Sequence, residues 1–127
     1  MKGSYTLIIE LKKSQKTKIG AIGIINFNRG YYAYVGSAMN NLDKRIERHL
    51  RSRKKIKWHI DYFLRRGKIV KVIKKESKKR EECRIAKKLS KKFPDIPKFG
   101  SSDCCCKSHL FYLGRQWEKG NLKFTRH

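Results

Sequence analysis

A carboxylate on the apolar stripe of a helix needs a partner, and Glu82 is placed as such a carboxylate. Ile85, Ala86, Leu89 and Phe93 recur at helical spacing, and Glu82 precedes the first three by three, four and seven positions, which aims it at the core. An ionised Glu there meets a metal or a fixed Arg, unless it lies at the edge of the stripe and reaches solvent or pairs with a neighbouring Lys. Arg45 and His49, four apart, flank a second stripe formed by Leu42, Ile46 and Leu50. Cys104-x-Cys106-x-x-His109 carries ligands suited to zinc, and Cys83 or His59 could complete the set. Free cysteines also serve as small buried hydrophobes, so the cluster has an ordinary structural reading as well. His59 with Asp61, and Asp103 with His109, are further acid and imidazole pairs, for which a turn cap or a satisfied core histidine is the competing account.

These groups sit in a very basic chain. Lys and Arg number 34 against 10 Asp and Glu, a formal charge of +24. Such an excess opposes compaction and attracts a polyanion through counterion release, so nucleic acid is the expected partner. Arg48, Arg51, Arg53, Lys54, Lys55 and Lys57 form a dense run, suited to phosphate contacts that do not read bases. The lysines from Lys74 to Lys92 extend the same character. Trp58, Tyr62 and Tyr31 could stack on bases or pack in the core. An anionic membrane surface is the rival polyanion, but no segment shows the strongly amphipathic helix it calls for.

The elements that must position these residues follow from periodicity. Tyr5 to Leu11 alternates as a strand, with Tyr5, Leu7, Ile9 and Leu11 on one face. Lys12 to Lys18 reads as a polar turn, Ile19 to Phe27 as a strand, Asn28-Arg29-Gly30 as a turn and Tyr31 to Val35 as a strand, together an antiparallel meander. Asn40-Asn41 caps a helix on the Leu42, Ile46, Leu50 stripe. Trp58 to Leu64 forms a short helix ended by Gly67, Ile69 to Ile73 a strand, and Ser77 caps a helix running to about Phe93, where Pro94 and Pro97 stop it. His109 to Leu113 is a last strand, and 114–127 a peripheral tail. The 127 residues suit one domain. The absence of both a signal-peptide core and an apolar run of roughly 20 residues leads to the expectation of a soluble, cytoplasmic protein.

Order and phrase together carry a resemblance. Gly3-Ser4-Tyr5 before a strand, Tyr34-Val35-Gly36, Arg45 on the next helix and Glu82 on a later one resemble the GIY-YIG nuclease superfamily. Tyr32-Ala33-Tyr34-Val35-Gly36-Ser37-Ala38, Arg45-Ile46-Glu47-Arg48-His49-Leu50, Trp58-His59-Ile60-Asp61-Tyr62, Glu82-Cys83-Arg84-Ile85-Ala86 and Phe99-Gly100-Ser101-Ser102-Asp103-Cys104 are similar to a GIY-YIG-like family of short proteins, also found fused to endonuclease III-type repair glycosylases. The resemblance implies an α/β (α+β) fold, a small antiparallel or mixed β-sheet flanked by helices. It further implies a DNA endonuclease that hydrolyses phosphodiesters with one Mg²⁺ or Mn²⁺, works in DNA repair and has a repair protein as partner. Zinc is the other metal the cysteines admit. The same scaffold without catalysis would be a DNA- or RNA-binding module.

Under that resemblance Tyr5 assists deprotonation of the attacking water and Tyr34 positions water or phosphate. Arg45 holds the scissile phosphate, His49 is an auxiliary base or phosphate contact, and Glu82 binds the metal. A tyrosine with a pKa near ~10 is a poor base at neutral pH, but a metal and dense positive charge favour its phenolate. The metal also lowers the pKa of bound water, while Arg grips phosphate bidentately. The 28 residues between Tyr5 and Tyr34 exceed the superfamily's short hairpin, and an extra strand around Ile19 to Phe27 accounts for the length.

Overall fold

A computed structural model of the chain describes residues 2–51, 55–56, 58–78, 81–96, 99 and 108–115, with the side chain at position 82 outside that set. Its frame is a four-stranded sheet in which strand β1 (Gly3–Leu11) is central. β4 (Gly30–Ala38) and β5 (Lys68–Glu76) flank it, and β6 (Leu110–Gly114) lies beyond β4, giving the order β5-β1-β4-β6 with every pairing antiparallel. The fold is α+β. Both faces of β1 are buried, not the Tyr5, Leu7, Ile9 face alone, because helices cover the sheet on both sides.

The sequence between β1 and β4 folds as a separate two-stranded hairpin of β2 (Gln15–Ile19) and β3 (Gly23–Phe27). The expected polar turn over Lys12 to Lys18 is thus strand in its second half. Thr17 and Ile19 are buried while Lys16 and Lys18 point to solvent, a period of two that the lysines disguise. The expected strand from Ile19 to Phe27 is broken by a 3₁₀ turn at Gly20–Ile22. Ile19 and Phe27 enter the main core, where Phe27 lies 4.7 Å from the Phe63 ring.

Helix α1 (Leu42–Leu50) and the short helix α2 (His59–Leu64) pack on the Tyr5 face through Leu42, Ile46, Ile60 and Phe63. Asn41 caps α1 by accepting from the Lys44 N–H at 3.1 Å. The expected third member of the α1 stripe, Leu50, is exposed, and His49 is buried in its place. At 3.6 residues per turn, seven positions on from Leu42 returns to within about 20° of the same face, whereas eight overshoots by about 80°.

Helix α3 (Glu82–Ser90) covers the opposite face. Ala86 and Leu89 pack there with Ile8, Ala33, Val35 and Phe111, and Ile85 and Phe93 border them, so the expected stripe is the one used. Ser77 is not its cap: Glu81 holds that position, and the Ser77 N–H donates to the Lys2 carbonyl at 2.9 Å. The regular helix ends at Ser90, with Phe93 N–H still reaching the Leu89 carbonyl. β6 includes Gly114, the first residue of the expected tail, whose 116–127 portion lies outside the described residues.

Candidate active site

The chemistry-bearing side chains gather on the α1/α2 face of the sheet. In antiparallel pairing, directly opposed residues share a face, and Tyr5 stands opposite Gly36 on β4 and Lys74 on β5. Gly36 is required there because a Cβ at that position would run into the Tyr5 ring and hydroxyl. The Tyr5 ring therefore lies across the bare strand, and its hydroxyl meets His49 Nε2 of α1 at 2.8 Å. Tyr34, two positions before Gly36, presents its ring to His49 at 6.3 Å between centroids and to Phe99 at 6.2 Å. Tyr5 is 3% exposed, Tyr34 8% and His49 2%, so this cluster is largely buried and reaches solvent only at its edge.

Above it lies a cationic layer organised by Trp58. The guanidinium carbons of Arg45 and Arg48 stand 4.6 and 4.3 Å from the Trp58 ring centroid, and the His49 ring centroid is 5.7 Å away. Arg45 also donates to the Ser37 carbonyl at 3.2 Å. Arg48 is committed to structure: its guanidinium donates to both oxygens of Asp61, at 3.1 and 3.0 Å, and to the Lys55 carbonyl at 2.8 Å. Asp61, fully buried, also accepts the Trp58 backbone N–H at 3.0 Å and so closes the start of α2. Trp58 and Asp61 thus form the clamp that ties α2 to α1 through Arg48.

Charge at the rim follows the same geometry. Lys74 donates to Asp43 of α1 at 2.9 Å, and this bond, with the charges of Asp43 and Glu76, raises its pKa. On the other face burial pushes the Glu81 carboxyl up, but the hydrogen bond from Lys75 and the charges of Arg84 and Lys75 outweigh it and hold the group below its usual range. His59 rests against the Phe99 ring, and burial lowers its pKa.

The structure therefore brings Tyr5, Tyr34, Arg45 and His49 together and adds Arg48, Trp58 and Asp61. Glu82 begins α3, whose body packs against the far side of the sheet. Cys83 is likewise on α3, with the sheet between it and His59 on α2. His109 is buried and knits the chain, its carbonyl accepting from Val35 N–H and its N–H donating to Phe99. Arg51 and Lys55 are exposed beside the clamp. Arg53, Lys54, Lys57, Asp103, Cys104 and Cys106 lie outside the described residues. Among the described residues no group of three or more His, Cys, Asp or Glu is arranged to hold a metal ion. The clamp carboxylate, Asp61, is already engaged by Arg48 and Trp58, so the described donors around Tyr5 do not fit a divalent ion.

Residues 4–125 match the family described as domain of unknown function DUF123. The chain belongs to the DUF123 family. No curated protein and no solved structure matches it. The DUF123 match takes in every residue of the Tyr5 cluster and the Trp58 clamp. Among the described residues no helix is long and apolar enough to cross a membrane.

Sequence reasoning missed two parts of this site. Trp58 was legible as an aromatic but not as the seat of two guanidiniums. The signal was Asp61 three positions on, the spacing at which a carboxylate reaches back to a helix cap. Lys74 opposite Tyr5 follows only from strand register, which a single strand does not disclose.

Proposed function

We propose that this DUF123 chain acts on DNA as a GIY-YIG-type endonuclease, hydrolysing phosphodiesters at the Tyr5–His49 pair beneath a phosphate-gripping Arg45. The observation that carries the reading is the 2.8 Å contact between the Tyr5 hydroxyl and His49 Nε2, set below an arginine held on an aromatic ring. A hydroxyl in that contact can pass its proton to the imidazole as it takes one from water. The water oxygen bonds to phosphorus, one ester P–O bond breaks, and the leaving oxygen takes a proton from solvent. Tyr34 packs against His49 and fixes its ring. Arg45 offers a planar fork to the phosphate oxygens. Arg51 and Lys55 extend the phosphate contacts.

Dependence on Mg²⁺ or Mn²⁺ and a role in DNA repair belong to this proposal through the GIY-YIG resemblance. A bound divalent ion would neutralise charge on the phosphate. Because the described donors do not form a cradle for it, no step above passes through the ion.

A second reading, a noncatalytic DNA- or RNA-binding module on this scaffold, is favoured by two observations. The Tyr5 cluster is largely buried, and the body of the helix that Glu82 begins lies on the other face. Incubation with branched, nicked, duplex and single-stranded DNA, with Mg²⁺, Mn²⁺ or a chelator, separates the two. Metal-dependent cleavage supports the nuclease; tight binding with every substrate left intact supports the module.

A further inference from the structure

The proposed reaction uses Arg45 but assigns nothing to the indole beneath it. An exposed arginine carries many rotamers, and ordering it on a ligand forfeits that freedom. Arg45 is half-buried, its guanidinium 4.6 Å from the Trp58 ring centroid, with one donor on the Ser37 carbonyl at 3.2 Å. A guanidinium stacked on an aromatic face keeps its N–H edges in the plane, where a phosphate can take them. Arg48 shares the ring but differs in kind, because its fork is filled by Asp61. Trp58 is itself anchored: Asp61 accepts its N–H at 3.0 Å and donates its own N–H to the Trp58 carbonyl at 3.0 Å. With two guanidiniums already over it, the ring is occupied and does not serve as a platform for a nucleobase.

We infer that Trp58 is the positioning residue for Arg45: the Asp61–Arg48 clamp fixes the indole, and the indole holds the Arg45 guanidinium ready for phosphate. The inference rests on the proposed phosphate-gripping role of Arg45. It makes the phrase from Trp58 to Asp61 part of nucleic-acid recognition, though neither residue touches the ligand. Trp58 then acts through Arg45 alone, so removing both costs no more affinity than removing Arg45.

The test is binding of a short fluorescein-labelled DNA duplex, followed by anisotropy at several salt concentrations, with thermal unfolding of each variant run in parallel. Arg45→Ala weakens binding about tenfold and lowers the salt slope by about one phosphate. Trp58→Leu weakens it about fivefold, the size of one lost cation–aromatic contact, and Trp58→Phe restores most of the loss. The double variant Trp58→Leu/Arg45→Ala binds as Arg45→Ala does. A double variant as weak as the product of the two single losses, or a folded Trp58→Leu that binds as the wild type does, overturns the inference. Should Trp58→Leu fail to fold, Arg45→Lys poses the same question, since lysine keeps the charge without the planar face; wild-type binding by that variant overturns the inference too. Arg45→Ala binding as the wild type does overturns the phosphate role of Arg45 and the inference with it. None of these readouts requires cleavage, so a chain that binds but never cuts refutes the nuclease alone.

Discussion

Substituting Asp61 by Asn keeps the shape and an acceptor for the Trp58 N–H while removing the charge that holds Arg48. Asp61 is fully buried and Arg48 is 21% exposed, so the carboxylate is sequestered from water whereas the guanidinium can partly recover hydration. Breaking a buried pair from one side costs about 3–5 kcal/mol, and the partial exposure of Arg48 places this one near the lower end, about 3 kcal/mol. For a domain of this size that corresponds to a fall in Tm of about 8–12 °C. Arg48→Met leaves Asp61 buried without its main cation and falls at least as far. The double variant Asp61→Asn/Arg48→Met recovers about 2 kcal/mol relative to the sum of the single losses, because two neutral side chains of similar shape replace the pair. Circular dichroism during thermal and urea unfolding of the four proteins reads this directly. An Asp61→Asn variant melting within about 1 °C of the wild type, or strictly additive losses, refutes the clamp as the bond between α1 and α2.

Three further outcomes follow from the same geometry. Gly36→Ala drives a methyl into the Tyr5 ring and costs about 1–3 kcal/mol, and the near-ultraviolet circular dichroism of the tyrosines changes with it; an unchanged spectrum and midpoint contradict the close approach. Asn41→Ala removes the cap on α1 and lowers stability by about 1 kcal/mol in urea unfolding, with Asn41→Asp close to the wild type. Burial lowers the His59 pKa in the folded chain, so the unfolded chain binds the proton more readily and stability falls as pH drops below about 6.5. His59→Phe removes that part of the pH dependence between pH 7 and 5, measured by urea midpoints.

The strands around the site were legible because their chemistry is local. Tyr5 to Leu11 alternates, Tyr31 to Val35 is β-branched and aromatic, and Asn41 precedes a helical stripe, all of which the fold uses. The β2 strand was hidden because Lys16 and Lys18 dominate its composition although only Thr17 and Ile19 face inward. Leu50 misled because a spacing of four repeated twice drifts off a 3.6-residue helix, and His49, the polar neighbour, took the buried place. Glu82 shows the deeper limit. Its stripe is real and α3 buries it, yet periodicity cannot say which face of a sheet a helix will cover. Here the body of α3 lies on the face opposite the Tyr5 cluster. Trp58 and Asp61 were singled out by the resemblance, but their joint role emerges only once α1 and α2 are packed together.

The central claim is that Tyr5 and His49 form the proton-transfer pair of a phosphodiester hydrolase. Its most direct measurement is the single-turnover cleavage rate of an end-labelled DNA, with Mg²⁺ or Mn²⁺ present and enzyme in excess, for the wild type, Tyr5→Phe and His49→Ala, with the affinity of each protein for the same DNA measured alongside. The account predicts cleavage by the wild type, a loss of about 10²-fold or more in each variant, and binding within about threefold of the wild type. Tyr5→Phe cutting at the wild-type rate, or a wild type that binds every DNA offered and cuts none, contradicts it.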